Sequence, residues 1–217
     1  MTTLGIQMSA KINLRSNFAI HHLRAAAQAA QSAHAVEKDN DTSKHGRWFD
    51  DMMMHVPVAI VMAAAALEAN SNEIVQDILD RPALLSVAAS HLESVKALKD
   101  DLSGNALDKY RKLANILNKT PVTGGAVWQN AGDLLRFRNS FIHFKPAWDH
   151  EDDIHKGNLV TALRRRLPIS PIYNANNFMF PYSLLTYECA NWAVQSVRKF
   201  ADEFCALIGV EDRFTKV

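Results

Sequence analysis

A chain of 217 residues, 48% apolar and 22% charged, is long enough for one sizeable core, short for two domains, and too apolar for global disorder. Its formal net charge of +1 provides no overall field for nucleic acid or membrane, so any anion site must be local. In chain order, Phe18, Leu23, Ala26, Ala27 and Ala30 recur at helical spacing and predict a helix over 17–36, broken by the polar run 37–46. A second helix, rich in Ala, Ile and Leu, is predicted over 56–79, with Glu68, Asn70 and Asn72 midway. Asp80-Arg81-Pro82 reads as a stop and restart, with Pro82 in the first turn of a helix reaching Leu98 from Leu84. Ser103-Gly104 closes that block, and Asn105 caps a short helix to Leu117. After the turn 121–125 comes an amphipathic helix over 126–144, stopped by Pro146. A charged loop, 149–157, leads to a short helix ending in Arg164-Arg165-Arg166, and 182–207 forms a long C-terminal helix. Period-two alternation of β-branched residues is nearly absent and there is no internal repeat. The expected architecture is an all-α bundle of about six to seven helices in one domain spanning 1–217.

Cys189 and Cys205 stand sixteen positions apart in the last helix, which at about 1.5 Å per residue separates them by roughly 24 Å. No disulfide between them and no cysteine metal site follows, which fits a reducing cytoplasm. The longest apolar run, 56–67, falls short of the roughly 20 residues needed to span a bilayer, so a buried helix and no membrane association are expected. Before Glu37 the chain has no acidic residue, while Lys11, Arg15 and Arg24 are present, a composition shared with organelle transit peptides. The ordinary reading of this segment is the first helix of the bundle.

The informative stretch is Arg138-Asn139-Ser140-Phe141-Ile142-His143. On a helix, Asn139 and His143 lie about 40° apart and Arg138 about 100° from Asn139, within reach of the same rim. Leu134, Leu135, Phe141 and Ile142 supply the apolar side. Such a trio suits RNA cleavage without a metal. Histidine can move protons to or from a ribose 2′-hydroxyl or a leaving 5′-oxygen. The arginine fork matches phosphate oxygens and can stabilise the more negative transition state. Asparagine can orient the imidazole or donate to phosphate. No protein nucleophile is required, because the attacking hydroxyl belongs to the RNA. The plain alternative is an exposed Arg and His that meet at this spacing by chance.

The stretch resembles the signature of the HEPN superfamily, an arginine followed by four to six residues and a histidine, often with Asn directly after the arginine. Ala63-Ala64-Ala65-Ala66-Leu67-Glu68-Ala69-Asn70 also resembles the alanine-rich polar helix that precedes the motif in many members. The resemblance covers roughly 56–144 and implies a single HEPN-like domain with N- and C-terminal helical extensions. It further implies a homodimer through the motif helix, with both arginines and both histidines in one composite cleft. Many members are metal-independent endoribonucleases acting as toxins, in phage defence or stress, or in RNA processing; others are non-catalytic interaction or nucleotide-binding modules. Arg138 and His143 carry over as the catalytic pair, Asn139 as their polar support and Glu68 as a supporting residue. RNA is the implied substrate, no cofactor is implied, and an antitoxin or regulatory protein is a possible partner. In the subset restrained by a nucleotidyltransferase antitoxin, a tyrosine stands two positions after the histidine; here that residue is Lys145, which could instead contact an RNA phosphate.

Other clusters have two readings each. Asp149-His150-Glu151-Asp152-Asp153-Ile154-His155 packs six potential metal ligands into seven residues, but ligands crowded in sequence rarely converge on one ion, and a solvated loop is expected. Arg164, Arg165 and Arg166 either complement a helix C-terminus or contact RNA phosphates beside His143. Trp128, Trp148 and Trp192 could stack on unpaired bases, although burial is the commoner fate of tryptophan. Met52-Met53-Met54 reads as core filler.

Overall fold

The computed structural model describes residues 15–82, 87–101, 103–148, 150–174 and 176–216. Their regular elements are all helical, with no strand among the described residues. In order they form α1 (Ala19–Asp39), α2 (Arg47–Asp80), α3 (Ala89–Asp100), α4 (Ala106–Ile116), α5 (Ala126–Ile142), a one-turn α6 (Asp152–His155), α7 (Asn158–Arg164) and α8 (Tyr187–Ile208). Short 3-10 turns occupy Tyr182–Leu184 and Arg213–Lys216. The all-α expectation holds. The segment before Arg15, where a leader-like composition was noted, lies outside the described residues.

Helix α2 is the spine, with α1 along it, α8 against both, and α3, α4 and α5 on its remaining sides. Small residues make the close approach possible: Ala19, Leu23, Ala26, Ala30 and Ala33 of α1 are buried, as are Ala59, Ala63, Ala64 and Ala66 of α2. The spine is 34 residues long and starts nine residues before the expected Val56. Pro57 lies inside this helix, where a proline costs about 3 kcal/mol. Burial of Trp48 and Met52 on the core face offsets that cost and carries the helix through the proline. The methionine run divides accordingly, with Met52 buried and Met53 and Met54 exposed. By length and composition α2 is long and apolar enough to cross a membrane, and 44% of its most apolar window is buried in the bundle.

Two other boundaries move. Helix α3 starts at Ala89 and not beside Pro82; the Val87 N–H donates to the Pro82 carbonyl, and Ala88 is extended. The C-terminal helix does not run from Tyr182. Thr186 caps α8 by accepting the Cys189 N–H at 3.2 Å, so the turn before it is separate. Asn105 behaves as expected, forming a reciprocal capping box with Asp108.

Two caps come from distant helices. Phe18 has no side-chain acceptor to cap α1, and Glu73 of α2 supplies one, its Oε1 accepting the N–H groups of Phe18 and Ala19 at 2.6 and 2.9 Å. Such a cap contributes about 1 kcal/mol. The second carboxylate oxygen of Glu73 pairs with Arg213, which also pairs with Asp77; Asp77 in turn holds Arg15. At the other end of the bundle Glu37 accepts the Tyr187 N–H at 2.8 Å, capping α8.

Burial pushes the Glu37 carboxyl above its ordinary value, with the Glu188 charge adding to the shift, against the opposing Tyr187 hydrogen bond and His34. A carboxyl raised on folding contributes stability below its unfolded pKa of about 4.3 and loses it as pH rises through the folded value. Glu37→Gln keeps the acceptor oxygen and removes the charge. Its thermal midpoint relative to wild type therefore rises between pH 4 and pH 7. A difference that shrinks over that interval would contradict the sign.

Both cysteines are free and buried in α8. Burial raises both thiols, Cys205 to about 12, which leaves them unreactive at neutral pH.

Candidate functional site

Helix α5 begins after Gly125 and buries Trp128, Ala131, Leu134, Leu135 and Phe137 against α2 and α8. The opposite face carries Arg136, Asn139, Ile142 and His143, all exposed. The helix ends at Ile142, two residues before the expected Phe144, and His143 is its C-terminal cap residue, with its N–H donating to the Asn139 carbonyl at 2.9 Å. Asn139 and His143 thus share one edge of the last turn, as their four-residue spacing requires. Among the described residues neither side chain is held by a hydrogen bond, so both are free to meet a ligand.

Arg138 is different. Its side chain is 24% exposed, and one terminal nitrogen pairs with the Glu68 carboxylate of α2. Glu68 lies midway along the spine, where α5 crosses it, and is the polar residue in the alanine-rich segment. The pair ties the motif arginine to the core helix and leaves the rest of its five-donor fork available. With Glu68 itself 42% exposed, the pair is worth no more than about 1 kcal/mol of stability. Its consequence is placement, because it fixes one donor of Arg138 and therefore the direction of the others.

The remaining basic residues are spread. Lys145 is exposed two residues beyond His143. Arg164 lies over the Phe178 ring, 4.4 Å from its centroid. Arg166 bonds Asp133 at 2.6 Å and Asn130 at 2.7 Å, fastening the end of α7 to α5. Arg165 is exposed. The triplet therefore fans in three directions and does not form one continuous cationic strip.

Asp133 escaped the sequence reading, and His155, expected in a solvated loop, is buried. Asp133, 2% exposed, receives both Arg136 and Arg166 from opposite sides. Its signal was available: a carboxylate at an apolar-face position of α5, between Ala131 and Leu134, must have a cationic partner. His155, in the acidic cluster, is 4% exposed. Its Nδ1 accepts the Phe180 N–H at 3.1 Å, which makes Nε2 the protonated nitrogen, donating to the Trp148 carbonyl at 2.9 Å. Both ring nitrogens are occupied, so His155 is not available to an ion. No group of three metal-binding side chains occurs among the described residues; Asp149 lies outside them.

His155 also explains the chain beyond Pro146. It joins the segment leaving α5 to the 178–182 segment, whose Phe180 packs on Phe137 with ring centroids 5.5 Å apart and whose Tyr182 meets Phe144 edge-on at 6.1 Å. The end of α5 is thereby buttressed on one side while Asn139, His143, Lys145 and Trp148 stay open on the other. A cleft of about 480 Å³ lies elsewhere, lined by Arg15, Asp77, Arg81 and Arg213 and by none of the motif residues. Its arginines already face carboxylates, so size alone does not make it the stronger site.

No family model, curated protein or solved structure matches this chain.

Proposed function

We propose that the protein is a metal-independent endoribonuclease of HEPN type, cytoplasmic and dimeric, with Arg138 and His143 as its catalytic pair. The observation that carries this reading is the Arg138–Glu68 pair, which anchors a half-buried guanidinium beside an exposed Asn139 and His143 at the end of one helix. With one donor held by Glu68, the rest of the fork is free to meet a phosphate beside Asn139 and His143.

In the reaction the RNA 2′-hydroxyl oxygen attacks the adjacent phosphorus and gives its proton to a base. The phosphorus–5′-oxygen bond breaks, and the departing oxygen takes a proton from an acid. The products are a 2′,3′-cyclic phosphate and a 5′-hydroxyl. His143 serves as base or acid, and in a dimer the two copies divide these roles. Arg138 holds the non-bridging oxygens as their charge grows, and Asn139 donates to phosphate or orients the imidazole. Lys145 and Arg165 extend the phosphate contacts along the strand.

Ile142 and Phe144, 53% and 44% exposed, flank His143. Apolar groups there favour a second copy meeting this face. They are equally compatible with a non-catalytic dimeric module in which the Arg-Asn-His trio makes cross-dimer hydrogen bonds, a reading that the small net charge also favours. The deciding experiment incubates total and synthetic RNA with purified protein in EDTA and maps the ends. Cleavage with cyclic-phosphate ends, lost in Arg138→Ala, is the expected result. Intact RNA with a dimer that falls apart in Arg138→Ala would establish the interaction module instead.

A further inference from the structure

Trp148 is the most exposed large apolar side chain among the described residues, at 72%, and it stands five residues beyond His143. Five residues span at most about 18 Å, so the indole lies within the reach of a few nucleotides from His143. Exposed indoles are usually carried by loose backbone, and this one is not. The Trp148 N–H donates to Glu151 Oε2 at 3.3 Å, and its carbonyl accepts both the Glu151 N–H at 3.0 Å and His155 Nε2 at 2.9 Å. The imidazole that holds it is itself buried and fixed by the Phe180 N–H. A ring presented to solvent on a pinned backbone has lost little of its hydration and already given up much of its backbone freedom, which is the condition for binding a flat ligand at low entropic cost.

We propose that Trp148 is a stacking platform for an unpaired nucleobase of the RNA held at the Arg138–His143 site. The assignment rests on the ribonuclease reading for its substrate and adds what that reading lacks, a contact to a base. Arg138, Lys145 and Arg165 are assigned to phosphates, which every nucleotide carries, whereas a stacked base requires a single strand. The enzyme therefore selects single-stranded segments, loops or ends over duplex. His155 and Glu151 act as positioning residues through Trp148.

The test uses His143→Ala, so that bound RNA is not cut, and follows tryptophan emission during titration with a short unstructured oligoribonucleotide. The RNA-dependent change in emission is assigned to Trp148 by its loss when Trp148→Ala is added, since Trp48 and Trp128 are buried and Trp192 is only partly exposed. An otherwise identical oligomer of abasic nucleotides controls for phosphate contact. Quenching by the RNA and not by the abasic oligomer is expected. Adding Trp148→Ala should weaken binding of labelled RNA by about five- to hundred-fold, with Trp148→Phe recovering much of it. Equal affinity in the Trp148→Ala protein, or equal quenching by the abasic oligomer, overturns the proposal. So does an emission that shifts with protein concentration and ignores RNA, which would mark a protein-docking surface. The two readings separate cleanly. Cleavage with unchanged rate, KM and site preference in a Trp148→Ala single variant sinks the platform alone, whereas base-dependent quenching without cleavage by wild type sinks the ribonuclease alone.

Discussion

His143→Ala is expected to abolish RNA cleavage and to leave the fold intact. Loss of a positioned proton-transfer group lowers a rate by about 10²- to 10⁴-fold, and if one histidine from each copy works at a composite centre the variant loses both at once. Stability is untouched because the imidazole is exposed and makes no side-chain hydrogen bond among the described residues, and such surface changes stay within about 0.5 kcal/mol. The measurement is a single-turnover rate in EDTA beside a thermal melt. A variant that cleaves at the wild-type rate would end the assignment of His143. A variant with a depressed melting midpoint would instead show that the residue is structural, and its loss of activity would then say nothing about chemistry. His143→Gln refines the result, since it keeps a donor and an acceptor but cannot take up a proton.

The largest effect on stability is expected at Tyr110 of α4. Its ring is fully buried between Phe200 and Phe204, with centroids 4.8 and 4.6 Å away, both edge-on. Its hydroxyl donates to the Leu67 carbonyl at 3.0 Å and accepts from Asn70 Nδ2 at 2.9 Å. Burial holds the phenol well above its ordinary value, so it is neutral at pH 7. Tyr110→Ala removes the ring and opens a cavity, costing about 3–5 kcal/mol on the scale of buried aromatic deletions. Tyr110→Phe keeps the packing and strands a carbonyl and an amide in the core, costing about 1–3 kcal/mol. Denaturant melts give both numbers. A Phe variant as stable as wild type would mean that water reaches Asn70, whose Oδ1 is already without a partner in the core. The effect has a functional side, because Leu67 precedes Glu68: loosening this contact frees the turn of α2 that aims Arg138.

How much of this was legible beforehand depends on the kind of interaction. Periodicity reports what one helix does alone, and it located α1, α4 and α5 to within a few residues. It failed where a partner decides. The start of α2 at Arg47 was missed because the burial of Trp48 and Met52 in the core is not a local property. The Glu37 and Glu73 caps are likewise invisible in sequence, since each acceptor lies on a different helix from the amides that it serves. At the candidate site, Asn139 and His143 could be placed on one edge from spacing. The partner of Arg138 could not be derived from spacing, because Glu68 is seventy residues away, and it entered only through a resemblance. Asp133 was readable in principle from its intrusion into an apolar stripe. His155 was not, because a histidine among four acidic residues and a second histidine gives no hint that it is the buried one.

The pairing of Glu73 and Asp77 with Arg213 closes a loop of about 140 residues, and Arg15 joins Asp77 from the opposite direction along the chain. Contacts this distant in sequence are slow to find, since the search cost must be met before they return any stability. Residues 15–80 leave the ribosome well before residue 213. The α1–α2 hairpin can therefore assemble first, with Arg15 holding its open end to Asp77 and Asp80 before Arg213 arrives. Final locking of the bundle is thus a late step, and a nascent chain not yet extended to Arg213 remains in an unlatched form.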